Sequence, residues 1–349
     1  FVFASKGRRE LPDETFLVEG NPEQISKNGT FLGQHICVPL EGVAIHINAF
    51  NFPCWGMLEK IAPTFLAGVP AIVKPATVTS YLTELMVKEI IASGILPEGA
   101  LQLICGSTGD LLEHVTLQDV VTFTGSASTG RKLKQTPAII NNSVRFNMEA
   151  DSLNFSMLGQ DAVPGTVEYD LFIKEIGREM TVKAGQKCTA IRRILVPENL
   201  VEEVIKSLKV RLADIRLGNP SVEGVKMGPL ASKGQVEEVK SKVNELLACC
   251  EIAYGNQNDF EVTGADKTKG AFMPSMLLYC KDGLKNDAPH DIEAFGPVST
   301  VMGYKNISDA VELAKKGKGS LVGSVFTNDA NIARDMVLGT AAWHGRIMI

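Results

Sequence analysis

The sequence predicts two α/β domains, each built on a parallel sheet. Three observations point there: β-rich runs alternate with amphipathic helical stretches; the 349 residues suit about two domains at roughly 150 residues each; and a composition of 45% hydrophobic and 21% charged residues is that of a folded chain, not a disordered one. In the first half, strands are expected at Val43–Ile47, Ala71–Lys74, Leu101–Cys105 and Val120–Thr124. Helices are expected between them at Trp55–Leu66, Ser80–Ser93 and near Gly109–His114. In Ser80–Ser93, the residues Leu82, Leu85, Met86, Ile90 and Ile91 keep helical spacing. Such alternation argues for a sheet covered on both faces. A second block begins after Asp151. It predicts helices at Glu168–Lys183, Leu200–Ile215 and Gly234–Ala248, and strands at Ile194–Pro197, Val298–Met302 and Leu321–Phe326. The polar stretch Gly255–Lys269 reads as a loop or hairpin.

The charge balance narrows the function. With 35 Lys and Arg against 40 Asp and Glu, the net charge is −5 and no basic cluster is present. Nucleic acid is therefore not expected as a partner, because phosphate neutralisation supplies much of that affinity. The longest stretch free of Asp, Glu, Lys and Arg, Gly42–Leu58, contains His46, Asn48, Asn51 and Pro53, which suits a membrane span poorly. The seven cysteines are an odd number with no CxxC spacing. Neither a disulfide scaffold nor a metal site is expected, and a reducing cytoplasm is the natural setting. The opening FVFASKGRRELPDETF lacks the basic-then-apolar order of a signal peptide. Both ends look cut, and the chain reads as an internal piece of a longer protein.

Five local patterns carry possible chemistry. In VVTFTGSASTG (Val120–Gly130) a β-rich run meets a glycine and then a helix-compatible stretch, so free N–H groups at a helix N-terminus could take phosphate. Gly125 and Gly130 are five apart, which matches neither common nucleotide motif, and an ordinary βα turn fits the same residues. Lys74 ends a strand before a proline, at the sheet edge where ligands bind in doubly wound folds; a lysine snorkelling from the core fits as well. Cys188, in KAGQKCTA, has small polar neighbours and nearby lysines, which favour a thiolate; a buried structural cysteine is the alternative. Glu149 ends a β-like run and Glu293 precedes Phe-Gly-Pro. Each could equally be a solvated surface carboxylate.

Taken in order, the motifs NFP (Asn51–Pro53), Lys60, KPAT (Lys74–Thr77), FTGS…G (Phe123–Gly130), Glu149, GQKC (Gly185–Cys188) and EAFGP (Glu293–Pro297) resemble the aldehyde dehydrogenase superfamily over nearly the whole chain. HINAFNFPCWGMLEK, MEADSLN, AGQKCTAIRR and AFGPV are similar to the aldehyde dehydrogenase part of the bifunctional proteins of phenylacetate degradation. The resemblance implies an aldehyde dehydrogenase-like α/β fold of two domains with Rossmann-like parallel sheets: an NAD(P)-binding domain over 1–155 and a catalytic domain over 156–349. It implies oxidation of a CoA-linked semialdehyde to the acid through a cysteine thioester. The substrate it points to is 3-oxo-5,6-dehydrosuberyl-CoA semialdehyde. Other readings are the 3,4-dehydroadipyl-CoA semialdehyde of benzoyl-CoA degradation, a CoA-acylating dehydrogenase, and an inactive binding protein of the same fold. A thiol hydrolase would need a histidine near Cys188, with His290 and His344 as the nearest guesses.

By the same resemblance, Cys188 is the nucleophile, Asn51 an oxyanion donor, Glu149 the base for water, and Lys60 an orienting or relay group beside it. Lys74 binds the adenine ribose, with Thr77 near its 2′ position. Gly125, Ser126 and Gly130 hold the pyrophosphate; Glu293 holds the nicotinamide ribose and Phe295 the ring. Ala150-Asp151-Ser152 replaces the Leu-Gly-Gly-Lys that commonly follows the base. Thr77 stands where NAD-specific members often carry glutamate, so NADP is the expected cofactor, with NAD possible. A homo-oligomer is implied for the full-length protein, and a C-terminal enoyl-CoA hydratase domain is a possible neighbour outside this sequence.

Overall fold

Residues 2–12 and 14–349 are described by a computed structural model. They form two units, one ending at Ala150 and the other starting at Asp151. A cut after residue 155 would pass through a strand of the second unit.

The first unit opens with α1 (Val2–Glu10) and an antiparallel hairpin, β1 (Leu17–Gln24) and β2 (Leu32–Cys37). A five-stranded sheet follows, from β3 (Ala44–Ile47), α2 (Trp55–Leu66), β4 (Ala71–Lys74), α3 (Ser80–Ala92), β5 (Leu101–Leu103), β6 (Val120–Gly125), α4 (Ala127–Lys134), α5 (Pro137–Asn141) and β7 (Arg145–Ala150). All pairings are parallel, in the order β5-β4-β3-β6-β7. The central strands β3, β4 and β6 are short, largely apolar runs because both faces are covered. Ile45, Ile47, Val121 and Phe123 pack with Leu112, Val115 and Ile139. Ala71 and Val73 pack with Met57, Ile61 and Val87. The chain leaves β3 in one direction for β4 and later returns to its other side at β6, so the switch point lies between β3 and β6. Ligands of doubly wound folds bind at the carboxyl ends of the strands there. The helix expected near Gly109–His114 is only a short 3₁₀ turn, Leu111–His114; the preceding Gly109 has a positive φ of 53°, which interrupts helical geometry.

The second unit carries β8 (Phe155–Leu158), α6 (Val167–Thr181), β9 (Arg193–Pro197), α7 (Val201–Ala213), α8 (Lys233–Leu246), β10 (Glu251–Tyr254), β11 (Met276–Cys280), α9 (Ala288–Asp291), β12 (Val298–Tyr304), α10 (Ile307–Lys315), β13 (Ser320–Phe326), α11 (Ala330–Thr340) and β14 (His344–Met348). Its seven strands run β10-β11-β12-β9-β8-β13-β14, all parallel except β10 against β11. The helix expected to reach Lys183 stops at Thr181 because Lys183 and Ala184 adopt left-handed φ values of 54° and 51°. Of the two readings left open for residues 255–269, the loop is the one formed; its sheet-like contact is the isolated bridge Gly218↔Thr263. Among the described residues, no helix is long and apolar enough to cross a membrane.

Arg193, fully buried at the start of β9, ties this unit together. Its guanidinium donates to the carbonyls of Leu153 (2.8 Å), Leu313 (2.6 Å) and Ala314 (3.0 Å) and to Nδ1 of His290 (3.0 Å). Because Nδ1 accepts, the His290 proton sits on Nε2, which donates to the Gly283 carbonyl at 2.9 Å. Burial, reinforced by the Arg193 charge, lowers the His290 pKa to about 4, so the ring is neutral at pH 7. Both ring nitrogens are committed to the core, which removes His290 as a base for Cys188. Arg193→Met is expected to leave three carbonyls and one ring nitrogen unpaired and to lower the unfolding free energy by about 3–5 kcal/mol, read from urea denaturation.

Candidate active site

Parallel register gathers the first unit's candidate residues along one sheet edge. Ile47 at the end of β3 pairs with Lys74 on one side and Phe123 on the other. Thr124 pairs with Glu149, and Gly125 with Ala150. Asn51 follows β3, Thr77 follows β4, and Ser126 follows β6. The carboxyl edge of this sheet therefore carries Asn51, Lys74, Thr77, Gly125, Ser126 and Glu149. Lys60 reaches it from α2: its ammonium donates to Asn48 Oδ1 and Thr124 Oγ1, both at 2.8 Å. Burial lowers the Lys60 pKa to about 8, with the Glu59 and Glu149 carboxylates pulling the other way. A lysine poised there exchanges its proton near neutral pH, unlike an exposed one.

The same edge suits an anionic ligand with hydroxyls. Ser126 caps α4 by accepting the Thr129 N–H, so the turn from β6 opens directly onto a helix N-terminus. Gly130 is a packing requirement: a Cβ there would lie 2.4 Å from Met148 Sδ and 3.0 Å from the Phe123 ring. Lys74 Nζ spends one donor on the Pro75 carbonyl at 3.1 Å and has two more. Asn48, buried at the end of β3, leaves its Nδ2 without a partner among the described residues, an orphaned donor at the mouth of the switch point. Thr77 is exposed, and its hydroxyl makes a long contact with the Gly106 carbonyl, 3.5 Å.

In the second unit the strands β12, β9 and β8 are parallel neighbours, with Thr300 and Phe155 both paired to Arg193. The segments that enter them, 293–297, 188–192 and 152–154, must therefore converge at the amino edge of the sheet. Arg192 binds them together. Its Nε donates to Glu293 (3.2 Å), Nη1 to the Gly296 carbonyl (2.7 Å) and Nη2 to the Gly185 carbonyl (2.8 Å). Its guanidinium carbon sits 5.3 Å from the centre of the Phe295 ring, within cation–π reach. Asn154 Nδ2 donates to the carbonyls of Cys188 (2.8 Å) and Ala190 (2.9 Å). Cys188 is half-buried, on a loop fastened at both ends.

Glu293 is not a solvated carboxylate. Its side chain is 6% exposed and also accepts the Ser152 N–H at 3.0 Å. Burial pushes its pKa up, against the pull of Arg192 and that N–H. A carboxylate offers about four lone-pair positions, so acceptor capacity remains. Arg192, Asn154 and Asn48 escaped the sequence reading. Arg192 had a faint signal, a second arginine beside Arg193 where one strand entry would need a single buried charge, but its partners lie up to 104 residues away. The other histidine considered, His344, has no hydrogen-bond partner on either ring nitrogen and packs its ring 4.8 Å from Phe155; burial lowers its pKa to about 4.

The approach of the two loops depends on Gly185. It has φ +69°, and a Cβ there would lie 2.1 Å from the Gly296 oxygen. Gly185→Ala is expected to lower the unfolding free energy by about 2–4 kcal/mol in urea. Gly165→Ala is the control, since Gly165 has φ +95° with nothing within 4 Å and pays backbone strain alone, about 1–2 kcal/mol.

Residues 17–342 match the model of the aldehyde dehydrogenase family. The 3,4-dehydroadipyl-CoA semialdehyde dehydrogenase of Aromatoleum evansii is 49% identical over 333 residues, covering 95% of this chain and 65% of that protein. The chain thus spans just under two thirds of the length of this curated relative. Betaine aldehyde dehydrogenase of Staphylococcus aureus, solved in complex with NAD+, has the same fold: one structure gives a TM-score of 0.82 at 25% identity over 97% of this chain and 64% of that one. Another gives 0.84 at 24% identity, covering 100% of this chain and 65% of the other. The curated relative carries the shorter of the two semialdehyde names expected from the sequence, not the phenylacetate one. By its family match over nearly its whole length, the chain belongs to the aldehyde dehydrogenase family.

Proposed function

We propose that the chain is the core of a dehydrogenase that oxidises a CoA-linked semialdehyde to its carboxylic acid with NAD(P), the substrate being of the 3,4-dehydroadipyl-CoA semialdehyde type. The observation that carries this reading is the 49% identity to the Aromatoleum evansii enzyme over 333 residues. It replaces the longer phenylacetate-derived semialdehyde as the first choice of substrate. A complete enzyme of this kind is expected to be a soluble cytoplasmic homo-oligomer.

In this scheme the Cys188 thiolate attacks the aldehyde carbon. The Asn51 amide and the Cys188 N–H receive the oxyanion, a donor set of which one member is typically worth roughly 100- to 1,000-fold in rate. A bound nicotinamide dinucleotide supplies the hydride acceptor. The product on the enzyme is a Cys188 thioester, and Glu149 draws a proton from the water that hydrolyses it. Lys60, beside Glu149 and with its pKa near 8, takes part in passing that proton on. Arg192 acts through its partners, holding Glu293 and Phe295 where the nicotinamide half of the cofactor is to bind. On the first unit, Lys74 serves the adenine ribose, and the Gly125–Ser126 turn with the helix packed through Gly130 serves the pyrophosphate. A general base at position 149 favours water over free coenzyme A as the group that resolves the thioester.

Three measurements on the full-length enzyme test this. Cys188→Ala is expected to abolish oxidation while dinucleotide binding persists; retained activity would remove the thioester scheme. Glu149→Gln should keep a burst of reduced cofactor equal to the enzyme present and slow the steady state by about 100- to 10,000-fold. The product should be a free acid, whereas a new CoA thioester at the former aldehyde carbon would assign the acylating chemistry instead. For the cofactor, NADP is expected to exceed NAD in kcat/KM. Thr77→Glu should then cut the NADP value by about tenfold or more through repulsion of the 2′-phosphate; a wild-type preference for NAD would overturn the assignment.

A further inference from the structure

A second cluster of reactive groups lies at the other edge of the second unit's sheet. Cys249 and Cys250 sit between the end of α8 and the start of β10, and Cys280 ends β11. The antiparallel register Glu251↔Tyr279 sets Cys250 opposite Cys280, one step further along. The three sulfurs lie within 4.8 Å of one another, with Cys249 and Cys250 at 3.8 Å. Cys250 and Cys280 are buried and Cys249 is partly exposed. All three are free thiols. Cys188 precedes β9 and belongs to the amino edge, so this cluster is separate from the site described above.

The spacing and the surroundings both fit coordination. Sulfurs sharing one zinc at about 2.3 Å lie about 3.8–4.0 Å apart, so the widest pair need close by no more than about 1 Å. Cys250 and Cys280 are buried side by side at the strand pair, with Cys249 next to them on the partly exposed side. Among the described residues, no carboxylate or histidine joins the group, and a set made only of thiolates selects soft cations over calcium or magnesium.

We infer that Cys249, Cys250 and Cys280 form a three-thiolate site for a thiophilic closed-shell cation, zinc(II) or copper(I). Each thiol that ligates gives up its proton, so uptake releases up to three protons and is favoured by rising pH. The bound ion links the end of α8 to β11 and closes a loop of residues 250–280. Its role is structural and independent of the aldehyde chemistry.

The test uses the full-length protein, reduced and stripped of metal, in a Cys188→Ser background that removes the reactive thiol. Cadmium(II) is titrated while thiolate-to-metal charge-transfer absorption is followed, and zinc(II) affinity is read by competition with a colorimetric chelator. The expected result is one equivalent with the absorption of three thiolates and a zinc-dependent rise in Tm. Affinity should fall by more than about 100-fold in Cys249→Ser and Cys280→Ser, each of which removes one of the three ligands. Cys249 is partly exposed, so its variant is expected to keep the fold if Cys280→Ser does not. Copper(I) tighter than zinc by chelator competition would assign the ion within the same site. Absence of a saturable equivalent, or unchanged affinity in Cys249→Ser, would overturn the assignment.

Discussion

A backbone contact with no room for a methyl group governs the second unit. The Gly185 α-carbon lies so near the Gly296 carbonyl that only glycine fits, and three successive residues, Lys183, Ala184 and Gly185, take left-handed φ to reach it. For Lys183 and Ala184 that conformation costs about 1–2 kcal/mol each. Hydrogen bonds from Arg192 to the carbonyls of Gly185 and Gly296 offset it on both sides. The loop bearing Cys188 and the loop bearing Glu293 and Phe295 are thus one piece of structure. Strain here keeps the segment that bears Cys188 fixed before any ligand arrives.

The two buried arginines beside Cys188 divide the work. Arg193 spends its donors on carbonyls and a neutral histidine within the core, with no carboxylate partner among the described residues. Arg192 has Glu293 and the two loops. A buried guanidinium is tolerated only when its donors are met, and the entry to β9 satisfies both because three strands start side by side there.

Much of this was legible in the sequence, and the omissions have physical reasons. The parallel strands around β3, β4 and β6 stood out because their neighbours are long amphipathic helices such as Ser80–Ala92. β1 and β2 did not, since LVEGNPEQ and LGQHIC are exposed strands with no buried face to impose a pattern. β8 was missed because four consecutive buried residues, Phe155–Leu158, look alike in strand and helix. At the site, residue types marked Cys188, Glu149 and Lys74 as candidates, whereas Arg192 gave only a faint signal and Asn154 none, because their contacts are to partners remote in sequence. The thiol cluster was hidden for the same reason: a Cys-Cys pair has no metal-ligand spacing until an antiparallel pairing brings Cys280 beside it.

Strand order also sets a timetable for the growing chain. β8 sits in the middle of its sheet, with β9 on one side and β13 on the other. β9 follows closely in sequence, but β13 ends at Phe326, well over a hundred residues after Leu158. At about 5–20 residues per second of synthesis, one edge of that central strand waits roughly 8–34 s for its neighbour on the ribosome. Through that interval an apolar strand edge is open to pairing with other nascent chains, for longer than β3 of the first unit waits for β6, so the second unit calls for the longer chaperone shelter.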